Sequence, residues 1–224
     1  MSTDIDEGYG IVSEVIDARE AMQLLQAIEA TAPSRSRAGA RHLMGHAAVN
    51  AMARDPRLLA IASGYVGAAA VPYRATLFDK SPARNWLVPW HQDTALPLER
   101  QRDVPGWGPW SQKAGVTYAH APAAALSRVV ALRLHLDESG KDNGPLRVLP
   151  RTHTIGVLTD AEVGGLAERA APVDCLVGTG GIIAMRPLIV HASSKAVSDR
   201  PRRVLHIEYI DSLDLGSGLR VAVA

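Results

Sequence analysis

The chain has 224 residues, with 24 Lys and Arg against 23 Asp and Glu and a formal net charge of +1. This balance gives no general field for gathering nucleic acid or an anionic membrane, and no apolar run approaches the ~20 residues a membrane-spanning helix needs. The lone Cys175 excludes an internal disulfide and fits a reducing cytoplasm, and the acidic, polar residues 1–10 do not read as a secretory signal.

The length suits one domain over 1–224, with a helical front over about 1–70 and a mainly β core over about 71–210. In 18–30, Met22, Leu24, Leu25 and Ile28 recur at helical spacing and predict one buried stripe. Residues 31–41, rich in Ser, Arg, Ala and Gly, read as a loop. Asp55 followed by Pro56 is an N-cap with a first-turn proline and predicts a short helix to about Ser63.

Beyond Val71 the pattern turns β-like, with runs at 72–78, 86–91, 116–120, 128–136, 146–149, 173–177, 182–185, 188–191 and 202–210. Turn signals separate many of them: Asp142-Asn143-Gly144-Pro145, Gly178-Thr179-Gly180-Gly181 and Asp199-Arg200-Pro201. In 128–136, Val130, Leu132, Leu134 and Leu136 fall on one face, with Arg133 and His135 on the other. Residues 96–112, with three prolines and two tryptophans, read as a long ordered loop: either an active-site lid or a structural loop with its tryptophans turned inward. Thr159 and Glu162 form a capping box that opens a helix, despite Gly164-Gly165. Little chain follows the last strand. A helical front before many short strands predicts a jelly-roll or barrel with helices packed outside.

His91 and Asp93 stand two apart in a β-like run, so their side chains share a face and can present an imidazole and a carboxylate to one metal. A lone pair of this kind is weak evidence, and a surface hydrogen bond explains it equally well. His191 ends the apolar run 188–190 and supplies a third donor. Two histidines and one carboxylate on one side of a metal leave positions open, which suits non-haem iron(II) binding an organic chelator and dioxygen together. Arg202 lies 202 − 191 = 11 residues further on and opens a strand after a turn. Its planar guanidinium can grip the far carboxylate of 2-oxoglutarate by two charge-assisted hydrogen bonds. Ser193 is placed to add a hydroxyl, and Arg203 competes for the same role. Trp86, Gln92, Tyr118, Arg133 and Arg147 are candidate substrate-pocket residues. Lys80 can reach either substrate or co-substrate. For each of these, packing or solvated charge is the plainer alternative. His42, His46, His120, His153 and His206 form no second ligand set and read as structural or surface residues.

The ordered set His91-x-Asp93, Asn143-Gly144-Pro145-Leu146, Leu149-Pro150-Arg151-Thr152-His153, His191-Ala192-Ser193-Ser194, Pro201-Arg202-Arg203 and Tyr209 resembles the phytanoyl-CoA dioxygenase family over roughly 72–209. The resemblance implies a double-stranded β-helix (jelly-roll, cupin-like) fold. It also implies iron(II) as cofactor, and 2-oxoglutarate and O2 as co-substrates. His91, Asp93 and His191 become the metal ligands, and Arg202 with Ser193 the anchor for the distal carboxylate. The expected activity is hydroxylation of a small-molecule metabolite with release of succinate and CO2. Asp93 favours this over halogenation, for which related enzymes carry a small residue at that position. The family's Pro-Gly-Ser-His block reads Pro150-Arg151-Thr152-His153 here, and no dense basic groove suggests an acyl-CoA tail. The rival reading is a cupin-type metal-binding protein or isomerase without 2-oxoglutarate. The sequence leaves the oligomeric state open.

Overall fold

The computed structural model describes residues 5–31, 33–36, 39–67 and 69–224. Its helices are α1 (Ala18–Ala30), α2 (Ala47–Ala53), α3 (Pro56–Val66), α4 (Ala123–Leu126) and α5 (Asp160–Arg169). The strands begin with β1 (Tyr9–Val12), β2 (Arg35–Ser36), β3 (Gly39–Ala40), β4 (Val71–Lys80), β5 (Val88–His91), β6 (Ala95–Leu98), β7 (Trp110–Lys113) and β8 (Val116–His120). They continue with β9 (Val129–His135), β10 (Leu146–Leu149), β11 (Val173–Cys175), β12 (Ile182–Met185), β13 (Val190–Ser193), β14 (Arg202–Ile210), β15 (Asp214–Gly216) and β16 (Leu219–Arg220).

Two antiparallel sheets face each other as a jelly-roll. The major sheet runs β1-β12-β9-β14-β4-β3-β2 and the minor sheet β11-β10-β13-β5. Strand alternation gives the major sheet two unlike faces. Leu77, Leu132, Leu134, Leu205 and Ile207 turn outward and bury against Leu25, Ile28, Met44 and Leu58 of the helical front. The Tyr209 hydroxyl donates to Ala53 O at 3.0 Å and ties β14 to the end of α2. Between the sheets, Ala131, Ile183 and Met185 meet Leu146, Val148, Cys175 and Ile189. That apolar plug closes one side of the interior and leaves the polar residues of β4, β9 and β14 around a chamber.

Helix α1 begins where its capping box puts it: Asp17 accepts from Glu20 N and Glu20 accepts from Asp17 N. The predicted stripe shifts by one residue. Ala21, Leu24, Leu25 and Ile28 are buried, whereas Met22 is 52% exposed. Helix α3 is capped by Asp55 as expected and runs on to Val66. The 31–41 stretch is not wholly a loop, since β2 and β3 form a short ribbon on β4; Ala32, Arg37 and Ala38 lie outside the described residues.

The largest correction concerns 96–112. It is not one long loop: β6 and β7 flank β8 in a three-stranded sheet. Trp107 and Trp110 pack on Leu98, Ala119 and Leu219. The tail is also more substantial than expected. β15 and β16 pair, Leu219 and Val221 are buried, and the Ala224 amide donates to Tyr73 O at 2.7 Å.

Candidate metal and co-substrate site

β13 and β5 pair with His91 opposite His191, which puts their rings 4.2 Å apart on the chamber side of the minor sheet. Asp93 follows β5 directly and is fixed by its amide, which donates to Pro187 O at 2.9 Å. His91 Nε2 lies 3.8 Å from Asp93 Oδ1 and His191 Nε2 lies 3.6 Å from Asp93 Oδ2. One donor atom from each of the three residues falls within 4.8 Å of the others.

The tautomers follow from the partners. His91 Nδ1 meets Pro89 O at 2.8 Å and His191 Nδ1 meets Ile189 O at 2.9 Å. A carbonyl can only accept, so each Nδ1 carries the hydrogen and each Nε2 lone pair faces the cluster. Burial, reinforced by His91, pushes His191 down to about 3, which keeps it neutral and able to ligate. Burial alone would raise Asp93, but the neighbouring His191, His91, His206 and Arg74 outweigh it and hold the carboxyl well below the usual range. Two imidazoles and one carboxylate on one side of a shared point suit iron(II), a set that leaves coordination positions open.

Ser193 sits two residues beyond His191 on the same face of β13, roughly 6.7 Å further along the strand. Its hydroxyl donates to Gly144 O at 2.8 Å. Its oxygen then accepts from Lys80 Nζ at 2.9 Å and from Arg202 Nη2 at 3.2 Å. Lys80 and Arg202 are register partners across β4 and β14. Arg202 Nε also reaches Asn143 O at 3.3 Å, and Lys80 Nζ reaches Ser194 O at 2.5 Å. The Asn143-Gly144 turn can approach this closely only because residue 144 is glycine. Its φ is +70°, and a Cβ there would stand 2.4 Å from Ser194 O.

Arg133 completes the cationic end, stacked 5.3 Å over Phe78 and donating to His206 Nδ1 at 3.2 Å. Lys80, Arg133 and Arg202 are 1%, 8% and 4% exposed, and among the described residues none pairs with a carboxylate. Arg202 Nη1, Arg133 Nε and both His135 ring nitrogens are buried with no hydrogen-bond partner. Burial, then Arg202 and Arg133, push Lys80 down to about 7; burial, then Arg133, push Arg202 down to about 9. Buried cations without a counter-charge are costly, so this end of the chamber is built to receive an anion.

The remaining sequence candidates are dispersed. Trp86 lies under Lys80, with Nζ 5.3 Å from the ring centroid. The Gln92 amide is used internally: Leu158 N donates to its oxygen, and its nitrogen donates to Gly156 O and Leu188 O. Arg147 pairs with Ala192, turns away from the chamber and stacks 5.1 Å over Trp90. Tyr118, 2% exposed, hydrogen-bonds His42 Nε2 at 2.8 Å. Arg203 is outside the chamber, held by Asp137 through two hydrogen bonds of 2.6 and 2.7 Å. Sequence reading gave no role to Arg74, His206 or Glu208. Glu208 binds Arg74 through both oxygens, and alternation along β14 puts His206 and Glu208 on the Arg202 face.

A family model, phytanoyl-CoA dioxygenase, matches residues 6–204. The chain belongs to the phytanoyl-CoA dioxygenase family. That family is one of iron(II)- and 2-oxoglutarate-dependent oxygenases, and the His91, Asp93 and His191 set fits such a metal. An L-proline trans-4-hydroxylase of Streptomyces griseoviridis is 26% identical over 184 residues, covering 70% of this chain; the chain spans 61% of that relative's length. The family fold recurs in the crystal structure of AviO1 from Streptomyces viridochromogenes Tue57, with a TM-score of 0.66, 21% identity and coverage of 94% of this chain and 91% of that one. It recurs in EctD from S. alaskensis, solved with 2-oxoglutarate and 5-hydroxyectoine, at a TM-score of 0.67, 19% identity and coverage of 92% and 72%. The epimerase SnoN, in complex with Fe3+, α-ketoglutarate and nogalamycin RO, gives a TM-score of 0.70 at 18% identity and coverage of 98% and 92%. Among the described residues, no helix is long and apolar enough to cross a membrane.

Proposed function

We propose that this chain is an iron(II)- and 2-oxoglutarate-dependent dioxygenase that hydroxylates a small-molecule metabolite, releasing succinate and CO2. In this reading His91, Asp93 and His191 ligate the metal. Arg202 and Ser193 hold the distal carboxylate of 2-oxoglutarate, and Lys80 joins them. The observation that carries it is the set of three buried, uncompensated cations one short strand step from the ligand set. A dicarboxylate that chelates metal at one end and needs a fixed cation at the other matches that layout. A cupin-type isomerase without the co-substrate has no use for Arg202 with a free Nη1.

The bound metal and co-substrate supply the oxidising chemistry. The protein's own residues orient and shield. The backbone carbonyls of Pro89 and Ile189 fix the imidazole tautomers, Ser193 aligns two cations, and the Ile183, Met185 and Val148 plug keeps water from that side. The test is reconstitution with iron(II) and 2-oxoglutarate. The reading predicts stoichiometric iron binding and succinate formation, slow alone and faster with substrate. If no succinate forms, and His91→Ala binds metal as well as the parent, the reading is wrong.

A further inference from the structure

At the end of β4 away from Lys80, where Arg74 meets β8, the fold carries a second surplus of positive charge. Tyr118 of β8 is its centre. Lys113 Nζ stands 5.0 Å from the Tyr118 ring centroid, Arg74 Cζ 5.5 Å, and the His42 ring stacks at 6.0 Å while hydrogen-bonding the phenol. Arg74 is neutralised by Glu208. Lys113 and the neighbouring Arg41 are not: among the described residues neither has an ion-pair partner, and both side chains reach solvent. The acid within electrostatic reach of Lys113 is Asp93, which His91 and His191 already engage.

The backbone holds this arrangement under strain. His42 takes φ 59° and ψ 48°, a left-handed conformation unusual outside glycine, which aims its ring at Tyr118. The charges also sense one another. Burial, then Arg41 and Arg74, lower Lys113, and the same two arginines, after burial, lower His42. Arg74 and Lys113 thus meet on one Tyr118 ring, and the field of Asp93 reaches both cations.

We propose that the substrate is an organic acid whose carboxylate is held by Lys113 and Arg41, with the His42–Tyr118 pair as its hydrogen-bonding floor. This rests on the oxygenase reading and deepens it by naming a substrate class and its specificity-determining residues. The carboxylate would be fixed there while the carbon skeleton reaches inward past Arg74 and Tyr118. The second cationic end would stay reserved for 2-oxoglutarate. Among the described residues no carboxylate pairs with Lys113, so a neutral analogue would leave that ammonium without its partner.

The experiment uses the full chain loaded anaerobically with iron(II) and 2-oxoglutarate. Appearance of the metal-to-co-substrate charge-transfer band tests the oxygenase reading by itself, because no substrate is present. On that band, α-amino acids and C4–C12 monocarboxylates are titrated beside their primary amides. The expected result is that a subset of acids shifts the band and the matching amides do not. Lys113→Gln then raises the Kd of the responding acids about tenfold or more, and Lys113→Arg stays within about threefold of the parent. Arg41→Gln repeats the effect at smaller size. The proposal is overturned if amides act as well as acids, if acids only bleach the band by displacing 2-oxoglutarate, or if Lys113→Gln binds them like the parent.

Discussion

Along β14, Arg203, Leu205, Ile207 and Tyr209 turn toward the helical front, while Arg202, Val204, His206 and Glu208 turn into the chamber. The outward face is an ordinary apolar seam, apart from Arg203 at its end, which Asp137 holds. The inward face gathers Lys80, Arg133, Arg202, His135 and His206 in surroundings that would disfavour each of them alone. The same strands thus carry stability on one side and chemistry on the other. The cost of desolvating the inner cations is borne by packing on the outer face, and the two functions should fail separately.

The largest expected effect is on the inner side. His191→Ala removes a proposed ligand that also packs on His91, and it should abolish stoichiometric iron binding and essentially all turnover while the thermal melt stays cooperative. Metal analysis beside calorimetry checks this; retained iron with full turnover would break the division between faces. On the outer side, Leu205→Ala empties a site that is 0% exposed. It should cost about 2–5 kcal/mol of unfolding free energy in denaturant titration, while the remaining folded protein still binds iron. Ser193→Ala leaves two buried cations without their shared acceptor. It should weaken 2-oxoglutarate by roughly 10- to 150-fold at little change in iron affinity, the size expected for losing a charge-assisted hydrogen bond of about 1.5–3 kcal/mol.

Lys80 sharpens the comparison through pH. Its pKa falls from 10.5 to about 7 on folding, mainly through burial. The unfolded chain therefore holds this proton across the window from 7 to 10.5, and the ligand-free protein should gain stability as pH rises through it. A bound carboxylate favours the ammonium form, so 2-oxoglutarate binding should take up close to one proton at about pH 8, and affinity should fall as pH rises above 7. Calorimetry in buffers of different ionisation enthalpy measures that uptake; Lys80→Met should erase it. The smallest effect lies away from both faces. Arg151 takes φ 68° where the family's Pro-Gly-Ser-His block has glycine. Arg151→Gly should relieve strain and stabilise by about 1 kcal/mol, read as a small rise in Tm.

What the sequence made legible follows from the same division. Strand 202–210 matches residue for residue because its two faces differ so sharply in polarity. His91, Asp93 and His191, singled out together in the sequence, do converge on one point, although Asp93 stands just past the end of β5 and not within it. Strands β6 and β7 were hidden. Pro97, Pro105, Gly106 and Pro109 read as loop, and these strands exist through pairing with β8 and through tail residue Val221 bridging Leu98. Helix α2 was missed because its N-cap is His46, a weak signal, followed by small residues with little pattern. For the chamber, alternation showed that Arg133 and His135 share a face. It did not show that the face is the inner one, since that depends on which sheet covers it. His42 was indistinguishable from a surface histidine until β8 brought Tyr118 beside it.

Strand β13 carries one further consequence. His191 and Ser193 belong to a single buried, four-residue extended segment whose pairing with β10 is regular, which holds the gap between them near two strand steps. On the proposed reading that segment is a ruler for the oxo-acid. A five-carbon diacid spans it, oxaloacetate falls one methylene short of Ser193, and 2-oxoadipate must buckle to fit.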